Sequence, residues 1–156
     1  MENGLFVPPT SAEWVLALRI ACAALAGGLI GWNRHRYGKP AGVGTHALVA
    51  LGSAMFVSIP IIAGAGHVDA VSRAIQGVAT GVGFIGAGEI FREPGQRSRV
   101  TGLTSAAALW ATAALGVVIV SGSLFGAAMG AILVIAVLQL APRLEARFPP
   151  KSIDPP

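Results

Sequence analysis

Charged side chains make up only 12% of the 156 residues, against about 25% in an average soluble domain. So few cannot cover a water-exposed globular surface. A single cysteine, Cys22, excludes an intrachain disulfide, and its place inside an apolar run suits a small buried hydrophobe better than redox chemistry. With three histidines beside it, the chain has no Cys/His cluster of zinc-ligand spacing, no phosphate-cradling P-loop and no nucleophile, base and acid set. These absences argue against an enzyme. The opening stretch MENGLFVPPTSAEW has no basic segment ahead of the first apolar run. That run, about 19 residues, also exceeds the apolar part of a cleavable secretion signal, about 7 to 15. It is expected to remain as an anchor.

What the sequence has is apolar length. Apolar residues account for 54% of the chain, and mean hydropathy is +0.70. Five apolar runs cover about 14–32, 45–62, 70–91, 103–120 and 124–141. Each is about 18 to 22 residues, long enough to cross a hydrocarbon core of about 30 Å as a helix. The sequence thus predicts an all-α membrane protein with five transmembrane helices in one membrane domain, 1–156, with a loose basic tail over 142–156. Trp14 and Trp32 mark the two ends of the first span, where indole rings suit the membrane interfaces. Pro60 closes the second span and Pro142 the fifth. The connector from Ser121 to Ser123 is short enough to make the last two helices a tight antiparallel hairpin.

The few cations are distributed unevenly. Arg34, Arg36 and Lys39 follow the first run, Arg92, Arg97 and Arg99 the third, and Arg143, Arg147 and Lys151 the fifth. Positive flanks resist translocation, so these nine place the clusters on the cytoplasmic side, with the N-terminus outside and the C-terminus inside. Glu2, Glu13 and Asp69 fall on the outer side. The net charge of +4 is explained by topology and anionic lipid, and with no recognition module it gives no reason to expect nucleic acid.

Arg19 and Arg73 remain, and charges within a bilayer are the first functional candidates. Arg73 lies one turn after Asp69, which suits an interfacial ion pair, and it shares a helical face with Gln76, Thr80 and Gly77. A polar face on a membrane helix should meet protein or water rather than lipid. Arg19 is within snorkelling distance of the outer interface. Glu89 is spaced to pair with Arg92. His46, beside Thr45 at the inner surface, together with Glu89 falls short of a transition-metal site, while Mg2+, which keeps its waters, needs few carboxylates. No cofactor is expected.

Small residues recur four apart: Gly27 with Gly31, Gly77 with Gly81, and Gly122 with Gly126 and Gly130. Such stripes let membrane helices approach closely, within the chain or, along the fifth helix, between copies of it. The run TGVGFIGAG, with Gly81, Gly83, Gly86 and Gly88, allows either packing or a broken helix that turns backbone groups into a cavity.

The stretch GGLIGWNRHRYGKPAGVGTHALVALGSAMF, from Gly27 to Phe56, resembles the first half of the MgtC/SapB family of bacterial membrane proteins. GVGFIGAGEIFREPGQRSRVTGLTSAAALWATAALG, from Gly81 to Gly116, resembles its second half. Gly31, Arg34, Lys39, Pro40, Thr45, His46, Arg73, Gly83, Phe84, Gly86, Gly88, Gly102, Leu103, Thr104 and Trp110 match the pattern. Asn33 stands where the family has an acidic residue and Gly44 where it has Arg. Asp69 is displaced by one position, and Glu89 replaces an apolar residue. The resemblance implies a short five-span inner-membrane form without a soluble C-terminal domain, linked to growth under magnesium limitation and to intracellular survival of some pathogens. It also implies restraint of the membrane part of the ATP synthase as one mode of action.

The expected function is therefore non-enzymatic, exerted by contacts within the bilayer with a second copy or another membrane protein. The alternative is a small transporter or channel for Mg2+ or protons, using the face of Arg73, Gln76 and Thr80.

Overall fold

The computed structural model describes residues 10–63, 68–92 and 100–148. Helix α1, Ser11–Arg36, begins with a capping box. The Thr10 hydroxyl accepts from the Glu13 amide and the Glu13 carboxylate accepts from the Thr10 amide, so two orphan N–H groups are satisfied reciprocally. The chain then turns through Tyr37 and Gly38, the latter at φ +60, into α2, Val43–Ile62. Pro60 lies in the last turn of α2, where a missing N–H disturbs least.

Helix α3, Val68–Gly88, is continuous through its glycine-rich stretch, so the break considered from the sequence does not form. It stops short of the expected residue 91. The chain instead passes through Glu89 and Ile90 into β1, Phe91–Arg92, which pairs antiparallel with β2, Val100–Thr101. Gly102 follows at φ +92, and a Cβ there would collide with the Glu89 carbonyl oxygen. A left-handed residue without a side chain is what lets this turn lead straight into α4, Leu103–Val120. Helix α5, Leu124–Arg147, runs through Pro142 rather than ending near it. One lost bond to a carbonyl a turn earlier does not stop the helix, because Arg143, Leu144 and Glu145 are good helix formers. The tail expected from 142 onward is thus helical to Arg147, and 149–156 lies outside the described residues.

Helix α4 is the centre of the bundle and packs on all four others. Half of it is buried, from Ser105 through Leu109 and Ala113 to Val120. Close approach comes from glycine. Gly27 and Gly31 of α1 sit against the α2 backbone at His46, Gly42 and Val43, where a Cβ on Gly31 would be 2.6 Å from the Gly42 oxygen. The same packing joins Gly116 of α4 to the Ala50 carbonyl of α2. By contrast α5 buries only Ala127, and its Phe125, Leu133 and Val137 are exposed, as are Leu18, Leu25 and Leu29 on α1. Such an apolar exterior suits lipid and not water.

Among the described helices, α1, α2, α4 and α5 are long and apolar enough to cross a membrane. The third differs in character. It is the most strongly amphipathic of the five, with Val78, Val82 and Gly86 turned inward and the Arg73 side turned out.

Candidate functional site

Two polar pairs are built into the core, both against one face of α4. Arg34 at the end of α1 is 5% exposed, and its Nη2 donates to Ser105 Oγ at 2.6 Å. His46 in the first turn of α2 is fully buried, with Nδ1 2.8 Å from Thr112 Oγ1. The Thr112 hydroxyl already donates to the Ala108 carbonyl at 2.8 Å, so it accepts from an Nδ1–H. This places a proton on Nδ1, and in the neutral imidazole Nε2 is then a bare acceptor. Ser105 and Thr112 are seven residues apart and thus project from the same side of α4. Neither His46 Nε2 nor Arg34 Nε has a hydrogen-bond partner among the described residues. Thr45, beside His46 in sequence, points away from this seam and is exposed.

Arg19 has a structural partner that no local pattern announced. Its Nη1 donates to the Val120 carbonyl at 3.2 Å, and its guanidinium lies against Gly122, which is left-handed at φ +96. A cation on the last carbonyls of α4 offsets the negative end of that helix and satisfies an orphan acceptor. The bond spans 101 residues of sequence. Gly122 is consequently a turn residue and not the first member of a stripe along α5. Gly130 packs against Leu115 of α4, while Gly126 is exposed above Ser123 of its own helix start.

Arg73, Gln76 and Thr80 are exposed together on the outer side of α3. Two of them bond on their own helix: Gln76 Nε2 donates to Ser72 Oγ at 3.2 Å, and Thr80 Oγ1 donates to the Gln76 carbonyl at 2.8 Å. The expected Asp69–Arg73 ion pair does not form; both side chains stand free among the described residues. Nor do Gly77, Gly81, Gly83 and Gly88 pack within the chain, since nothing lies within 4 Å of where their Cβ would be. Only Gly86 meets a neighbour, Ala106 of α4, at 3.3 Å. Between α2 and α3 runs an apolar groove of about 990 Å³, with Gly52 and Leu48 on one wall and Gly77 and Gly81 on the other.

A second, polar pocket of about 810 Å³ opens at the end of the bundle where α1 ends and α4 begins. Half-buried Glu89 lines it with Arg34, Lys39, Arg143 and Glu145. The expected Glu89–Arg92 pair lies outside the described side chains. His46 does not line this pocket, so the structure does not bring it to Glu89, and no cluster of three or more His, Cys, Asp or Glu occurs among the described residues.

The sequence missed Ser105, Thr112 and the Val120 carbonyl as partners. A signal for the first two exists: they are hydroxyls seven apart in an apolar helix, and such a pair marks an inward face. The sequence profile of the MgtC family matches residues 20–147. SrpB of Synechococcus elongatus is 48% identical over 130 residues, which is 77% of this chain and 70% of that protein. YhiD of Escherichia coli K12 is 38% identical over 151 residues, 91% of this chain and 66% of that one. MgtC of Brucella abortus is 39% identical over 125 residues, 78% of this chain and 50% of the relative, so the chain spans only half to about two thirds of these last two. No solved structure matches.

Proposed function

Because the chain belongs to the MgtC family, we propose that this membrane protein acts without catalysis, through protein contacts made inside the bacterial inner membrane by the open face of α3. The carrying observation is that Arg73, Gln76 and Thr80 are exposed, and that among the described residues nothing lies within 4 Å of where a Cβ on Gly77 or Gly81 would be. Facing lipid, a guanidinium is costly even near the end of a span, where it must snorkel to reach water. Facing another helix, the glycines allow backbone approach and the polar groups supply interhelical hydrogen bonds. All five helices cross the bilayer in this reading as one domain. The nine clustered cations are then cytoplasmic, together with the C-terminus.

The occupant of that face is a second copy of this chain or another membrane protein; the family resemblance points to the membrane part of the ATP synthase. The physiological setting is adaptation to magnesium limitation or intracellular survival. One relative is named "Putative magnesium transporter YhiD", which is compatible with that setting. Mg2+ is not required as a resident cofactor, and nucleic acid is not a partner.

Cysteine crosslinking in native membranes tests the contact. In a Cys22→Ser background, Gly77→Cys should give a discrete crosslinked species, whereas Leu133→Cys on the lipid-facing side of α5 should not. Equal labelling at both positions would sink the reading. The second reading, a transporter of Mg2+ or protons, draws on the buried seam of Arg34, Ser105, His46 and Thr112. Flux through liposomes containing the purified protein, above that of empty vesicles and lost in His46→Gln, would favour it.

A further inference from the structure

The polar pocket where α1 ends and α4 begins has a use that the α3 face does not involve. The first intrahelical bond of α4 runs from the Ala106 amide to the Gly102 carbonyl. The amides of Leu103, Thr104 and Ser105 therefore have no carbonyl ahead of them in the helix. Gly102, the N-cap, has no side chain to receive them. An 18-residue helix thus presents the positive end of its dipole, with no side-chain cap among the described residues, to a cavity of about 810 Å³. Arg34, 5% exposed, lines the same cavity, bonded to Ser105 Oγ, with its Nε enclosed and unpartnered and the Glu89 carboxylate acting on its charge. A guanidinium buried to this degree normally has its donors filled. Here the protein fills one.

Lys39 and Arg143 add two exposed cations at the rim, and Glu89 and Glu145 two carboxylates, so the lining carries one net positive charge. Hydroxyls of Thr104 and Ser105 line the same wall. Free amides, a forked guanidinium and hydroxyls around a cationic rim are donors for a tetrahedral oxyanion.

We propose that this pocket binds a phosphate-class oxyanion, seated on the first turn of α4 against Arg34. The source is inorganic phosphate or the phosphate of an anionic lipid headgroup, and both present the same oxygens to the same donors. Glu89 opposes the anion, so its removal strengthens binding; for a cation in the same pocket the sign is reversed.

The test uses the full chain, purified and delipidated in a phosphate-free maltoside detergent. Calorimetric titration with inorganic phosphate should show saturable one-to-one binding. Lys39→Ala with Arg143→Ala should weaken it about tenfold, the scale of losing a charge-assisted contact. Glu89→Gln should tighten it by about threefold through the lost repulsion at solvent-screened distance. Arg34→Gln should abolish it, with helical content checked by circular dichroism; if that variant does not fold, the rim and Glu89 variants decide. Native mass spectrometry after adding phosphatidylglycerol separates the sources. One retained lipid displaced by phosphate assigns the headgroup, and phosphate binding that this lipid does not compete with assigns the free ion. No saturable phosphate binding together with no retained lipid overturns the proposal. So does weaker phosphate binding in Glu89→Gln, or Mg2+ binding that depends on Glu89.

Discussion

Arg34 and Arg73 are each a cation on a helix of the same bundle, and their surroundings are opposite. Arg34 is almost wholly enclosed, faces Ser105 and is held where α1, α2 and α4 meet through glycine. Arg73 lies on the exposed side of α3 with glycines that touch nothing. The first kind of polarity is engaged inside the bundle, where its bond to Ser105 ties α1 to α4. The second is left over, and a polar group left over in a membrane helix implies a neighbour from elsewhere. In the proposed reading, stability and contact with other proteins therefore belong to different regions, which mutation can separate.

The largest effect is expected where the enclosed region is tightest. Gly31→Leu forces a side chain into the α2 backbone at Gly42 and Val43 and should cost about 3 kcal/mol of stability, read as a lowered Tm in detergent. A wild-type melt would mean that α1 and α2 are not locked by that contact. Next is Thr112→Val, which keeps the volume but removes the acceptor of the buried His46 Nδ1–H. Its cost is about 1 to 2 kcal/mol, visible in the same melt. Arg19→Ala removes a partly buried bond at the end of α4 and should cost about 1 kcal/mol, with growth under magnesium limitation nearly intact. Arg73→Ala should change stability least, by less than about 0.5 kcal/mol, yet abolish complementation in that growth assay. If Arg73→Ala destabilises as much as Arg19→Ala, the division between the two regions fails.

Much of this architecture is legible in the order of residues. The span 103–120 coincides with α4, and the hairpin at Ser121–Ser123 with the turn before α5. Ends were harder to read. Pro142 looks like a stop but does not end α5, because a single lost backbone bond competes with good helix formers on both sides. At Gly88 the reverse held: Ile90 and Phe91 extended the apolar run, but the collision-free seat of the Glu89 carbonyl on Gly102 ends the helix earlier. Of the candidate residues, Arg34 and His46 were visible by type and position, while their partners required knowing which helices touch. The stripes show the same limit. Spacing four apart identifies Gly27 with Gly31 and Gly77 with Gly81 equally well, but only the first pair meets a backbone within the chain. Periodicity tells which residues share a face; it does not tell what that face meets.

The bond from Arg19 to the Val120 carbonyl has a consequence in time as well as in space. Its two ends are 101 residues apart, so when α1 first enters the bilayer during synthesis its partner has not yet been made. At about 5 to 20 residues per second, roughly five to twenty seconds of synthesis separate the two. The bond closes only once α4 is complete, so this tie between the first and fourth helices belongs to the late stage of assembly.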